Sequence, residues 1–224
     1  ARVGIGRALL SRPRMLLMDE PLASLDPARK DEILPYLERL RDEVTLPILY
    51  VSHAVSEVAR LATSVVLLEN GRVAAVGPAT QVLADPQAAS VLGIREAGAI
   101  LTAKVAGQHP DGLTELSFSG GALFLPQIGA RPGSSLRIRI PARDVMIALE
   151  RPHSISALNV LPATIERVRI GEGPGSLVQL RVGQDTILAR VTQRSANALD
   201  LRPGLACHAV IKTLAVAQAD VGHG

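Results

Sequence analysis

The chain has 224 residues, enough for one or two domains. It is 47% hydrophobic and 20% charged with a net charge of +3, has no apolar run as long as a membrane span and opens on no signal peptide, which argues against a helical membrane protein and for a cytosolic one. The single Cys207 rules out an internal disulfide, and two Phe and two Tyr without a dense Lys/Arg cluster argue against nucleic acid as a partner.

The first part of the chain alternates between helix and strand signals. Arg2–Ser11 reads as a helix and Arg14–Asp19 as a strand whose apolar run, Met15-Leu16-Leu17-Met18, suits a buried parallel position. Asp26-Pro27 is an N-cap followed by proline at the first helical position. The helix it opens runs to about Val44, with Ile33, Leu37, Leu40 and Val44 at helical spacing and Pro35 set to bend or shorten it. Pro47–Ser52 is the next strand, Val55–Leu61 a short helix, and Ser64–Glu69 and Arg72–Val76 a hairpin about Asn70-Gly71. Ala79–Ala84 and Pro86–Leu92 read as short helices. This alternation predicts an α/β fold with a mostly parallel sheet.

After Gly93 short β-type runs are separated by Gly, Pro, Asp and Ser, which predicts an all-β small barrel. The runs are Leu101–Val105, Leu113–Phe118, Ala122–Leu125, Leu136–Ile140, Val145–Leu149, Ala163–Ile170, Leu177–Val182, Thr186–Val191 and Cys207–Leu214. The expected domains are 1–97, a β-rich connecting segment over 98–152, a barrel over 153–219 and a tail over 220–224, with Gly98–Ile100 as linker. Cys207, inside the apolar Leu205–Ile211, reads as a buried strand thiol. Residues 1–97 carry 11 Lys/Arg against 12 Asp/Glu, and residues 98–224 carry 13 against 9. The second excess suits an anion-binding domain or a plain basic surface, and both readings stay open.

Asp19 and Glu20 end the apolar strand, and Pro21 stops it, so both acids fall where open α/β sheets bind ligands. One acid there can hold Mg²⁺ and the other can orient or deprotonate a water. His53 follows the strand Ile48–Ser52 and falls at the same edge. With Ser24-Leu25-Asp26 downstream, the stretch resembles the Walker B strand and D-loop of an ABC-type ATPase, and residues 1–10 resemble the helix after its signature loop. That resemblance implies ATP and Mg²⁺ as cofactors and a dimer that sandwiches nucleotide. It makes Glu20 the general base and Asp19 the magnesium-side carboxylate. His53 becomes the γ-phosphate contact that helps position the attacking water, and Ser24 and Asp26 become D-loop residues reaching across the dimer.

The tail of the chain carries Ser156-Ala157-Leu158-Asn159, then Thr192-Gln193-Arg194-Ser195, Leu201-x-x-Gly204 and Ile211-Lys212-Thr213. This set resembles the molybdate-binding Mop domain found in molbindins and at the end of molybdate-import ATPases. The resemblance implies an oxyanion site with Ser156 and Lys212 on one side and Thr192 and Ser195 supplied by a second subunit. Hydroxyls and backbone N–H groups with one or two cations suit a dianion. Leu158 stands where that family has an arginine, which removes charge and a bidentate fork. Two readings follow: a weakened oxyanion site, or a barrel kept as a dimerisation or regulatory scaffold.

Together the motifs resemble the C-terminal part of a molybdate-import ABC ATPase. The resemblance implies a homodimer on the cytoplasmic face of the inner membrane, working with integral-membrane permease subunits and a periplasmic or extracellular molybdate-binding protein. The cargo would be molybdate, with tungstate as an open alternative. The chain opens on Ala1 and holds no G-x-x-x-x-G-K-[ST], so it is expected to lack the phosphate loop, glutamine loop and signature, and alone to neither bind nor hydrolyse ATP. Three alternatives remain: the ATPase of another solute importer, a non-enzymatic oxyanion-binding module, and a regulatory ABC protein without a transport role. The Thr192-to-Lys212 set argues against the first and residues 1–97 against the second.

Overall fold

The computed structural model describes residues 2–171, 173–217 and 220–223. Its first region contains α1 (Arg2–Leu10), β1 (Leu16–Asp19), α2 (Pro27–Glu43), β2 (Ile48–Val51), α3 (Val55–Leu61), β3 (Ser64–Glu69), β4 (Arg72–Pro78), α4 (Ala79–Leu83) and α5 (Ala88–Leu92). Then come β5 (Gly98–Gln108), β6 (Leu113–Phe118), β7 (Gly121–Pro126), β8 (Ser135–Pro141), β9 (Val145–Ala148), β10 (Asn159–Ile170), β11 (Gly175–Val182), β12 (Asp185–Thr192), α6 (Gln193–Ala198), β13 (Ala206–Ile211) and β14 (Val221–His223). An α/β region followed by an all-β region is the expected fold class.

The parallel component is the pair β1–β2, in register Leu16↔Ile48 to Asp19↔Val51. The hairpin β3–β4 forms a two-stranded antiparallel sheet of its own. The apolar run was expected to be buried on both faces, but it alternates. Leu16 and Met18 are buried against Leu22, Ile33, Leu34 and Leu37, while Leu17, Leu49 and Val51 are exposed on the other face. One face of this pair has α2 as a cover, and the described residues supply no cover for the second.

Helix α2 starts as its sequence dictates. Asp26 is extended at φ −68°, ψ 159°, and accepts the Arg29 N–H at 3.0 Å, which satisfies one of the free donors of the first turn. Pro35 neither stops nor shortens the helix, which runs on to Glu43. An interior proline costs about 3 kcal/mol. Burial of Ile33, Leu34 and Leu37 offsets it, at about 1.5–3 kcal/mol for each fully buried side chain.

The β-rich region holds two five-stranded sheets, ordered β12-β11-β10-β13-β9 and β14-β8-β5-β6-β7. One apolar core fills the space between them, with Leu101, Leu136 and Ile138 from one sheet and Ile165, Leu180 and Ile187 from the other. The expected boundary between 152 and 153 therefore falls in the connection between β9 and β10, and the sheets on either side of it share their core. Asn159, buried, latches them: its Oδ1 accepts the Phe124 N–H at 2.7 Å and its Nδ2 donates to the Phe124 carbonyl at 2.9 Å. Cys207 is a buried thiol on β13, and burial pushes its pKa up.

Two expectations need correction. Gly98–Ile100 is not a linker but the start of β5, paired with Arg139–Pro141 of β8. Gly98 is required there, because a Cβ would sit 2.8 Å from the Ile140 carbonyl oxygen. Val221–His223, expected as a tail, is strand β14 on the edge of β8. It is also pinned from the α/β side. Arg41 donates to the His223 carbonyl at 2.8 Å, and the His223 N–H reaches Glu38 at 3.3 Å. Glu38 in turn holds Arg60 of α3 in a buried ion pair of 2.6 Å.

Candidate active site and oxyanion site

The carboxyl ends of β1 and β2 lie side by side because the two strands run parallel with Asp19 opposite Val51. Asp19 ends β1 and is exposed. Glu20 follows with φ +43°, a left-handed conformation that costs a non-glycine residue about 1 kcal/mol or more and is common where a site is pre-organised. It is held there by its own N–H, which donates to the Val51 carbonyl at 2.9 Å, and by the Ala23 N–H, which donates back to its carbonyl at 3.2 Å. Glu20 Oε1 accepts the His53 backbone N–H at 3.0 Å and lies 2.6 Å from His53 Nδ1. The His53 ring is 80% exposed. The two residues named for catalysis are thus directly paired, with the imidazole facing solvent.

Ser24 is exposed in the turn after Glu20, and Asp26 is spent locally as the cap of α2, with Arg29 Nε at 3.4 Å from its other oxygen. Neither forms a hydrogen bond or ion pair with Asp19, Glu20 or His53 among the described residues. No group of three His, Cys, Asp or Glu residues clusters as a closed metal cage among those residues. Two adjacent hard carboxylates suit a Mg²⁺ that completes its octahedron with phosphate oxygens and water.

A third acid behind the site carried no sequence motif. Glu57, 3% exposed, accepts from Lys30 Nζ at 2.8 Å, Tyr50 OH at 2.8 Å and Ser52 Oγ at 3.0 Å. Ser52 Oγ also accepts the Ala54 N–H at 3.1 Å. The cluster therefore ties α2, β2 and α3 to the turn that carries His53. Burial raises the pKa of Glu57, but the three hydrogen bonds and the Lys30 charge outweigh it, and the net shift is downward. Burial and the bond to Glu57 push the Tyr50 phenol well above its ordinary range. The available signal was an acid on the inward face of a short amphipathic helix.

The residues expected for oxyanion binding fall into two groups. Thr192 caps α6, accepting the Ser195 N–H at 3.0 Å, and its Oγ1 lies 2.8 Å from Ser195 Oγ. Ser156, Leu158 and Lys212 are exposed at the other end of the sheet, where Asn159 pairs with Ile211. Thr192 pairs with Gly175, beside the opposite end of the twelve-residue strand β10, whose Ile170 pairs with Ser176. At about 3.3 Å per residue the two groups are separated by roughly 35 Å of strand. One chain does not bring Ser156 and Lys212 to Thr192 and Ser195.

Among curated proteins the chain is 54% identical over 217 residues to "Molybdenum import ATP-binding protein ModC" of Rhizobium meliloti (strain 1021), a match that covers 96% of this chain and 60% of that protein. The protein of the same description from Mesorhizobium japonicum is 50% identical over 225 residues, covering 100% of this chain and 60% of the relative. The chain is a homologue of the molybdenum import ATP-binding proteins. It spans about 60% of the length of these relatives. Residues 155–217 match the TOBE domain family. A crystal structure described as the cytoplasmic molybdate-binding protein ModG is similar at a TM-score of 0.49 and 21% identity, covering 56% of this chain and 95% of that one. No described helix is long and apolar enough to cross a membrane.

Proposed function

We propose that this chain is the part of a molybdate-import ABC ATPase that carries the hydrolytic carboxylate and an oxyanion-responsive β-region. The observation that carries the catalytic half is the Glu20–His53 pair at the carboxyl edge of β1–β2. Glu20 accepts the proton of the attacking water, and His53, fixed through two contacts to one Glu20 oxygen, holds its exposed imidazole toward the γ-phosphate. Asp19 stands on the Mg²⁺ side, either directly or through water. Bound Mg²⁺ neutralises charge developing on the phosphates. Ser24 and Asp26 face nucleotide across a homodimer.

The cargo assignment rests on the relatives' description and on the two separated halves of the oxyanion site. Ser156 and Lys212 of one subunit meet Thr192 and Ser195 of another, so molybdate, or tungstate in its place, is held at a shared interface. Leu158 weakens the site, and Lys212 is its main cation. The ATPase works peripherally at the cytoplasmic face of the inner membrane with permease subunits and an external molybdate-binding protein. The domains follow 1–97, 98–152 and 153–219, the last two packed on one core, with Val221–His223 joined to the sheet of β8.

The test has three arms. The 224-residue chain shows no Mg-ATPase activity above a Glu20→Ala control, because the phosphate-gripping loop supplies most of the binding donors. In an ATPase that contains this chain together with the phosphate loop, Glu20→Gln keeps ATP binding and loses ~10²–10⁴-fold in turnover, since the amide cannot take the proton. Near wild-type kcat in that variant removes Glu20 as the base. Calorimetric titration of the chain with molybdate tests the cargo: Lys212→Ala abolishes the heat and Leu158→Arg increases affinity about ten- to hundredfold. No heat from either the native chain or Leu158→Arg leaves the β-region as a scaffold.

A further inference from the structure

We propose that a cleft between α5 and the β10–β11 hairpin binds a small organic phosphate, a phosphate monoester carried on an apolar body. The cleft has a volume of about 380 Å³, within the usual range of small-molecule sites. Ladder register builds its charged floor. Arg169 pairs with Leu177, and Leu177 pairs with Arg190, so the three lie in one row across β10, β11 and β12. Paired residues share a face of the sheet. Both guanidinium groups therefore stand on the cleft side, flanking Leu177, with their strands roughly 10 Å apart.

The two arginines are held differently. Arg169 Nη1 donates to the Pro86 carbonyl at 2.8 Å, which fixes it against the opposite wall and leaves its other N–H groups for a ligand. Arg190 has no hydrogen-bond partner among the described residues. Its head lies over Gly175, where a Cβ would sit 3.5 Å from Arg190 Nε and 3.9 Å from Nη2. Two guanidinium forks match a dianion with several equatorial oxygens better than a monoanionic carboxylate. No acidic side chain lines the cleft among the described residues. The loop's one carboxylate, Glu172, lies outside them.

The apolar walls decide against a bare inorganic anion. Ile94, Ile170 and Leu177 line the cleft, and Ile170 is 59% exposed in the free chain. A ligand with an apolar body covers this surface, at about 25 cal/mol per Å² removed from water, while its phosphate meets the arginines. The cleft adjoins the Thr192–Ser195 pair, since Thr192 pairs with the lining residue Gly175, but it does not include that pair. Neither Thr192 nor Ser195 lines it, and their hydroxyls are engaged with one another.

The experiment titrates the whole chain with phenyl phosphate, inorganic phosphate and phenol by calorimetry. Phenyl phosphate binds saturably, inorganic phosphate at least about tenfold more weakly, and phenol gives no saturable heat. Loss of a charge-assisted hydrogen bond predicts that Arg190→Ala weakens phenyl phosphate about ten- to hundredfold. Arg190→Lys, which keeps the charge without the fork, falls between the two. Arg190 is exposed, so an unchanged melting temperature accompanies both variants. Saturating molybdate leaves phenyl phosphate bound. Four outcomes overturn the proposal: no saturable binding of phenyl phosphate, indifference to Arg190→Ala, equal affinity for inorganic phosphate, or displacement by molybdate.

Discussion

In the β-rich region Ile138, Leu180 and Ile187 are wholly shielded, whereas in the α/β region Leu17, Leu49, Val66, Leu68, Val73 and Val76 each stand about half or more in solvent. The two regions have similar apolar strands and different packing partners. Five-stranded sheets facing each other close a core from both sides, while β1–β2 and β3–β4 are two-stranded and covered on one face. A two-stranded sheet is marginal by itself. The α/β region accordingly leans on polar and charged ties: Glu38 to Arg60, Glu57 to Lys30, and Arg137 Nη2 to the Ala62 carbonyl at 2.7 Å. Chain order thus separates a region with one large shared core from one with several small apolar clusters joined by charged ties, and Asp19, Glu20 and His53 sit in the second.

The largest contrast comes from truncating one leucine in each region. Leu180→Ala empties a packed core and costs about 2–5 kcal/mol. Leu17→Ala changes stability by no more than about 0.5 kcal/mol, because the side chain is 67% exposed. Denaturant melts of the two variants measure the difference, and equal costs would show that Leu17 is covered in solution.

Glu57→Gln tests the charge-based ties. It breaks the bond to Lys30 and leaves donors short of a carboxylate, for a loss of about 1–3 kcal/mol at neutral pH. The pH dependence carries the sign. The folded carboxyl has a lowered pKa, so between the folded and unfolded values the unfolded chain binds more protons. Its contribution is full above the ordinary glutamate range and fades as pH falls through that range toward the folded value. The stability gap between wild type and Glu57→Gln therefore shrinks in melts run from about pH 7 to about pH 3. A gap that widened in acid would reverse the assignment.

The smallest expected effect is a control with matched chemistry in both regions. Asp26 and Thr192 each cap a helix by accepting the N–H three residues on, at 3.0 Å in both cases. Replacement of either by Ala costs about 1 kcal/mol. Similar losses in melting experiments would leave burial as the difference between the regions.

Several elements were legible from local chemistry. Val55–Leu61, Ser64–Glu69 and Leu113–Phe118 fall within their expected bounds because periodicity and turn residues, Asn70-Gly71 among them, act over a few positions. The closeness of the acid pair to His53 was legible, because Asp19-Glu20 and His53 come at the same ends of two strands that pair in parallel. What escaped depends on distant partners. Gly98–Ile100 looks like a linker until β8 pairs with it, and Val221–His223 looks like a tail until Glu38, Arg41 and β8 hold it. Glu57 escaped for the same reason, since Lys30 lies 27 residues away. The Mop-type residues were legible singly, but their distribution over the two ends of β10 follows only from the ladder register.

That distribution sets a rule of symmetry for any assembly that joins them. Each chain presents the Thr192–Ser195 hydroxyls at one end and Lys212 at the other. A two-fold arrangement that sets one strand against its copy in reverse engages both ends at once, gives two equivalent sites and stops at two chains. A head-to-tail arrangement engages one end per neighbour, leaves a complementary surface open and continues into a ring or a filament. If an anion fills each such junction, the number taken up per chain reports closure: one per chain marks a two-fold dimer or a ring, and a fraction below one that rises with protein concentration marks open-ended growth.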